Sequence, residues 1–394
     1  MSSGADPELV RRIRTALAEE AGVPSVDRVA AAARATGAVL GDLGLLEMVD
    51  AVRADLTGAG PLEELLADPD VTDLVVNGAT GVWVDRGSGL ERRHVDVGTA
   101  DDVRRLAVRL AATAGRRLDD ASPWVDARLP DGTRLHAVLP PVVHGGPHLS
   151  LRLPRRVALS FADLVRAGTV PEHWEPVVAA VIAAKAAFLV TGGTGTGKTT
   201  LLAALLALVP PLERLVVVED AAELWVDHPH VVRLEGRPAN IEGAGQVSMT
   251  DLVRQALRMR PDRLVVGEVR GAEVRELLAA LNTGHEGGCG TVHANASTDL
   301  PPRLEALGAL AGLDRAAVQA QAAAAVEVVV HMRRLGSARH IAEIAVVRRH
   351  GAELEVVPAL ARPHGDARPP VVGPGWSQLA QRLRLAVDAV PGGG

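Results

Sequence analysis

Thr191-Gly-Gly-Thr-Gly-Thr-Gly-Lys-Thr-Thr200 is the stretch that decides how the rest of the chain is read. It has the spacing G-x-x-x-x-G-K-[ST], with Gly192, Gly197, Lys198 and Thr199 in the four fixed places. The apolar run Ala-Ala-Phe-Leu-Val at 186–190 fits a buried strand, and Thr-Leu-Leu-Ala-Ala-Leu-Leu-Ala-Leu from 200 onward fits a helix. Strand, glycine loop and helix in that order are the setting a phosphate-binding loop requires. Glycines let successive backbone N–H groups turn inward around phosphate oxygens, and the helix N-terminus adds a fixed partial positive charge. Gly192, Gly193, Thr194, Gly195, Thr196 and Gly197 would form the cradle for ATP, with Thr200 entering the helix. Lys198 would reach the β and γ phosphates, and Thr199 would hold Mg²⁺. The plain alternative is a glycine-rich turn in a glycine-rich chain. Lysine occurs only at 185 and 198, so composition does not explain one standing at this place.

The 394 residues suffice for two or three domains with cores of their own. Charged residues make up 23%, near the usual quarter, which places the chain among globular proteins. A net charge of −6 argues against a partner held mainly by charge, so no nucleic acid is expected. Arginine supplies nearly all the positive charge while Lys, Asn, Ile, Phe and Tyr are scarce. That is the bias of a G+C-rich coding sequence, so arginine abundance alone carries no functional meaning. The single cysteine, Cys289, excludes an internal disulfide and suits a reducing cytosol. The first residues have neither a basic nor an apolar signal region, and no uncharged apolar run reaches spanning length. The expectation is a soluble cytoplasmic protein with no direct membrane span.

Four segments follow from the pattern. Residues 1–58 read as a helical N-terminal extension, with Leu9, Val10, Ile13 and Leu17 at helical spacing and an Ala-rich run to about Thr36. Residues 59–156 read as a small α+β domain, in which strands at 71–77, 81–85 and 134–139 lie between glycine turns around a helix at 100–114. Residues 157–350 open on a capping pattern, Ser160-Phe-Ala-Asp163, and alternate strands at 186–190, 215–218, 231–234, 264–266 and 290–292 with helices. That alternation predicts an α/β domain with a mostly parallel sheet, functional at the carboxyl ends of its strands. Residues 351–394 read as a terminal strand and a flexible Pro/Gly-rich tail around a short helical stretch, 376–390.

Polar residues collect near those strands. Glu219 ends one and Glu268 another, His293 ends a third, and His285 stands just ahead of that third strand. A triphosphate held in the loop needs a carboxylate to orient water or set Mg²⁺, and polar groups to sense the γ-phosphate. Glu268 and Glu219 answer to the first need, with Glu219 a second ligand for Mg²⁺, and His293 and His285 to the second. Singly each has a dull reading as a solvated loop residue; together around one phosphate loop they predict an active site.

These residues resemble a known family, the ATPases of type II and type IV secretion systems, and within it the tight-adherence pilus (TadA/CpaF-like) branch. The resemblance spans about 55–350. It rests on Gly60-Pro-Leu-Glu63, Val76-Asn-Gly78, Gly115-Arg-Arg-Leu-Asp119, 122–132, the phosphate loop, 218–224, 257–263, Val266-Gly-Glu-Val-Arg270, 283–287 and Thr291-Val-His-Ala-Asn295. It implies an N-terminal domain hinged to a RecA-like P-loop ATPase domain, assembled as a ring hexamer. The implied setting is the inner face of the cytoplasmic membrane, with polytopic inner-membrane platform proteins as partners. Glu219 and Glu268 match its acidic motifs, His285 and His293 its histidine motif, and Arg128, Arg134 and Arg152 arginines suited to contacting nucleotide. One departure is Gly267-Glu268 where many phosphate-loop enzymes carry Asp, so water activation by Glu268 is expected rather than direct metal ligation. A RecA-like nucleic-acid motor of conjugation or helicase type is the alternative. Two Phe, no Tyr and five scattered Trp leave few platforms on which bases could stack.

Overall fold

The computed structural model describes residues 26–36, 58–87, 89–154, 159–237, 244–362, 371–388 and 391, with isolated positions among 9–17 and 44–52. The chain divides into two compact units, Met1–Arg155 and Arg156–Gly394. Of the helical extension, α1 (Val26–Ala35) is described, and Ile13, Leu17, Val29, Ala32, Ala33, Met48, Val49 and Val52 form a small buried cluster.

The rest of the first unit carries the short helix α2 (Glu63–Ala67), then β1 (Asp73–Asn77), β2 (Val82–Asp85) and β3 (Leu90–Arg93). These are followed by α3 (Ala100–Thr113), β4 (Trp124–Arg128), β5 (Arg134–Val138) and β6 (His148–Arg152). The strands make one antiparallel sheet in the order β3-β2-β1-β6-β5-β4. Alternate residues Leu74, Val76, Val125, Leu135, Ala137, Leu149 and Leu151 are buried. They share a core with Val103, Leu106, Ala107, Leu110 and Ala111, one stripe of α3 at helical spacing. α3 starts where it does because Thr99 and Asp102 cap each other's backbone N–H groups.

The second unit begins with α4 (Phe161–Arg166), opened by a reciprocal cap between Ser160 and Asp163, and α5 (Glu175–Ala183). It continues through β7 (Phe188–Gly192), α6 (Lys198–Leu206), β8 (Leu215–Glu219), β9 (Val231–Glu235), α7 (Met249–Ala256) and β10 (Arg263–Val269). After these come α8 (Val274–Asn282), β11 (Cys289–His293), α9 (Leu300–Leu310) and α10 (Arg315–Ala325). The last elements are β12 (Val328–Leu335), β13 (Ala338–His350), β14 (Glu353–Ala361), β15 (Val371–Val372) and α11 (Trp376–Leu383). The sheet order is β15-β14-β13-β12-β7-β11-β10-β8-β9, parallel from β12 through β9 and antiparallel from β12 to β15.

Both faces of this sheet are covered, which is why its central strands are continuous apolar runs rather than alternating ones. Phe188, Val190, Val217 and Val265 pack with α4, α5 and α6 on one side. Leu189, Val216, Val218, Leu264 and Val266 pack with α7, α8, α9 and α10 on the other. Each such buried side chain contributes roughly 1.5–3 kcal/mol of transfer free energy. No helix among the described residues is long and apolar enough to cross a membrane.

The expectation of a free tail needs correction. Trp376, Leu379, Ala380 and Leu383 are all buried in the core that contains Val346, Val357 and Leu360. Trp376 Nε1 donates to Val387 O at 2.8 Å, and Arg382 pairs with Glu327. The spacing of those four residues is one helical stripe, and burial of that stripe outweighs the Pro/Gly content around it. Residues 363–370, also in the tail, lie outside the described residues.

Candidate functional site

The site forms where β7, β11, β10 and β8 all end, because parallel strands share one carboxyl edge. β7 runs directly into the glycine loop, and Gly197 caps α6 at φ 90°, a left-handed backbone that a side chain at this position would strain. Thr196 Oγ1 donates to Gly193 O at 2.9 Å, closing the loop on itself. Lys198 Nζ donates to Gly192 O at 3.1 Å and Gly193 O at 2.9 Å, so the ammonium lies folded along the loop it serves. Burial draws the Lys198 pKa below its usual value; the Glu268 carboxylate pushes it back up and Arg270 pulls it further down. Thr199 and Thr200 are half-buried in the first turn of α6, while Thr194 and Gly195 are exposed at the loop apex.

Glu268 owes its direction to an irregularity in β10. Val266 pairs with Gly290 but Val269 pairs with Val292, so β10 holds one residue more than β11 between those two pairs. A bulge of this kind turns a side chain out of the regular alternation. Thr291 Oγ1 donates to Gly267 O at 2.7 Å and fixes the bulge against β11. Glu268 Oε2 accepts from Arg270 Nη2 at 2.5 Å, and this bond, opposed by burial, raises the Arg270 pKa.

Glu219 is turned toward its own loop. Its Oε1 accepts the backbone N–H groups of Glu223 at 3.1 Å and Leu224 at 3.0 Å, and the residue is 5% exposed. Burial pushes its pKa up to about 7 in spite of those two donors. The carboxylate packs on Gly267, where a Cβ would come within 2.6 Å of Glu219 Cγ. Only glycine permits that approach, so Gly267 and Glu219 settle each other's positions.

His293 ends β11 directly opposite Gly192, one strand spacing or about 5 Å away. His285 does not join it, which corrects its place beside this chain's own loop. α8 carries the chain back across the sheet before Thr283, so His285 stands at the edge where the strands begin. Its Nδ1 meets Ala280 O at 3.2 Å, and Gly288 O in the same turn accepts from Phe188 N, the first residue of β7. The five residues of β7 separate that edge from the loop by about 13 Å.

Two features escaped the sequence reading. Behind the loop, Thr191 Oγ1 and His331 Nδ1 form a buried pair at 2.9 Å. Burial first, and then the charge of Arg333, pulls His331 down to about 4, so it stays neutral at ordinary pH. The signal was a lone histidine in the apolar run Val328-Val-Val-His331. Beside the loop, Arg339 Nε donates to Gly195 O at 2.9 Å.

Arg128, Arg134 and Arg152 belong to the first unit, and its register brings them together. Arg128 pairs with Arg134, Arg134 with Arg152, and Arg152 with Asp73, so they form one row on the face opposite the core. Arg152 Nε and Asp73 Oδ1 are 3.0 Å apart. Like charges directly opposed on neighbouring strands repel.

Residues 55–356 match the family described as "Type II/IV secretion system protein". The chain belongs to that family. A Mycobacterium tuberculosis protein named for conjugal transfer is 55% identical over 326 residues, 81% of this chain and 93% of the relative. Conjugal transfer protein TrbB of Rhizobium radiobacter is 31% identical over 71% of this chain and 84% of its own length. Type IV secretion system protein PtlH of Bordetella pertussis is 34% identical over 61% and 77%. Among solved structures, the pilus retraction motor PilT with bound ADP matches over 74% of this chain and 83% of its own, with TM-score 0.53 and 20% identity. Legionella pneumophila ATPase DotB covers 72% and 79%, with TM-score 0.52 and 19% identity. These two likenesses are of fold, a RecA-like α/β domain preceded by a smaller α+β domain.

Proposed function

We propose that this chain binds ATP with Mg²⁺ in the 191–200 loop and hydrolyses it as one subunit of a ring hexamer. The work drives a Tad/Flp-type pilus or a type II/IV secretion apparatus at the inner face of the cytoplasmic membrane, through polytopic membrane partners. One observation carries the reading: Lys198, the bulge-directed Glu268 and His293 lie at a single sheet edge around the loop.

Phosphoryl transfer asks for positioning and for compensation of charge on the transferred group. The inward N–H groups of the loop and the Lys198 ammonium, moved off Gly192 O and Gly193 O, meet the β and γ oxygens. Thr199 would hold Mg²⁺, which when bound would neutralise charge developing on the phosphates. Glu268 takes a proton from the attacking water once Arg270 has released it, and His293 faces the γ-phosphate. Glu219 acts by positioning, through its hold on the 223–224 backbone and on Gly267. Arg128, Arg134 and Arg152 would suit contact with nucleotide, and an arginine that reaches the phosphates is worth roughly 10³–10⁵ in rate in comparable enzymes.

Glu268→Gln is expected to keep ATP binding and lose turnover by about 10³-fold, a size usual for a general base. An active Glu268→Gln would move water activation to another group. The names of two relatives favour a second reading, a motor acting in DNA transfer. Strong stimulation of steady-state hydrolysis by DNA would support it, and unchanged hydrolysis the first.

A further inference from the structure

β7 has two neighbours, and the phosphate loop therefore has two flanks. Gly192 pairs with His293 of β11 on one side and with Met332 of β12 on the other. Past Met332, β12 runs on through Arg333, Arg334 and Leu335, turns at 336–337, and returns as β13 from Ala338. This hairpin stands beside the loop apex. Arg339 Nε donates to Gly195 O at 2.9 Å, and Arg339 Cδ lies 3.2 Å from where a Gly197 side chain would begin. Arg334 Nη1 lies 3.5 Å from the corresponding point on Gly195, while Arg334 Nε donates to Gly336 O at 2.8 Å and the side chain is exposed.

The chemistry on the opposite flank fixes which end of a nucleotide this hairpin meets. If Glu268 and His293 attend the γ-phosphate, as proposed above, the triphosphate crosses the cradle with its γ end toward β11 and β10. Its nucleoside then leaves toward β12 and β13. Backbone N–H groups of the loop point in at phosphate, so the Gly195 carbonyl held by Arg339 lies on the outside. A guanidinium there braces the apex and presents a flat cation along the exit path. Arginine is suited to both tasks, because its plane stacks on a ring while its rim of donors bonds oxygen.

We propose that the β12–β13 hairpin is the nucleoside wall of the site: Arg334 contacts the base and ribose, and Arg339 is a positioning residue acting through Gly195. This rests on the ATPase reading and extends it to residues outside the phosphate loop and its acidic strands.

The two roles separate when ATP is compared with inorganic tripolyphosphate, which has the phosphates and no nucleoside. Calorimetric titration of the full-length protein with each ligand and Mg²⁺ is the measurement, with thermal melts to verify folding. Arg334→Ala is expected to weaken ATP about tenfold, the size of one stacked cation, and to leave tripolyphosphate within about twofold. Arg339→Ala is expected to weaken both ligands alike, and Arg339→Lys, which keeps a donor for Gly195 O, to recover part of each. Equal losses on both ligands in Arg334→Ala would make it a phosphate contact and overturn the nucleoside assignment. Unchanged ATP binding in both alanine variants would remove the hairpin from the site. A parent protein that bound neither ligand would overturn the phosphate-loop reading itself, which these variants do not address.

Discussion

The two edges of the nine-stranded sheet are both rich in charge and differ in what that charge does. At the edge where strands begin, Arg263 is 1% exposed. Its Nε meets Glu213 Oε2 at 2.8 Å, Nη2 donates to Ile182 O at 3.0 Å, and Lys185 Nζ lies 3.0 Å from Glu213 Oε1. Both cations share the one Glu213 carboxylate and tie the strand starts together. At the edge where strands end, Lys198 rests on backbone carbonyls and Glu268 on a partly exposed arginine, partners that a triphosphate can replace. Charge that is satisfied internally supports the fold, and charge held by exchangeable partners is available for chemistry.

Substitutions can break that contrast, the largest effect coming from the loop. Lys198→Ala is expected to lower kcat/KM by about 10³-fold or more, some 4 kcal/mol, with the melting temperature nearly unchanged; steady-state kinetics beside calorimetry reads both. Arg263→Met should do the reverse. Removing one partner of a buried ionic group costs about 3 kcal/mol, or roughly 6–12 °C in melting temperature for a domain of this size, while turnover per folded molecule persists. A catalytic defect in Arg263→Met without loss of stability would erase the distinction between the edges.

Glu219 sharpens the comparison, because it is a buried acid at the working edge. An acid whose pKa rises on folding holds its proton more firmly in the folded chain than in the unfolded one. Stability contributed there falls as pH climbs from about 4.5 to about 7 and stays at the lower level above that. Glu219→Gln keeps the oxygen that accepts from Glu223 and Leu224 and carries no charge. The parent is therefore expected to lose on the order of 2 kcal/mol more than the variant between pH 5 and pH 8, as read from urea midpoints. A variant whose midpoint drops as steeply would place the titration in another group. The smallest expected effect is the histidine pair: His293→Ala should slow turnover about tenfold, whereas His285→Ala should leave ATP affinity within about twofold. Equal losses of affinity in both would bring His285 to a phosphate, from whichever subunit.

The phosphate loop and the parallel core were legible because each is dictated locally. Buried strands such as Phe188–Gly192 must be apolar on both faces, and a cradle of N–H groups needs glycine at fixed steps. His285 misled because it is near His293 in sequence but a whole strand away in space. The helix just before Thr283 already held the correction, since a chain that has crossed the sheet along a helix arrives at the opposite edge. Glu268 could be named but not aimed, as one extra residue in β10 relative to β11 leaves no trace in composition. Arg334 and Arg339 stand on a hairpin some 140 residues beyond the loop, and no local pattern in the sequence ties them to it. Arg128, Arg134 and Arg152 were each ordinary surface charges until antiparallel register set them side by side.

The docked C-terminal helix bears on where a gene fragment should be cut. The family match stops at residue 356, inside β14, which runs from Glu353 to Ala361. A piece ending there would sever an interior ladder and strip Trp376, Leu379 and Leu383 from Val346 and Val357, leaving an oily seam open to water. Expression trials bounded by homology alone are thus expected to yield aggregates, and a stop codon placed after Asp388, which keeps the Val387 carbonyl that Trp376 bonds, soluble protein.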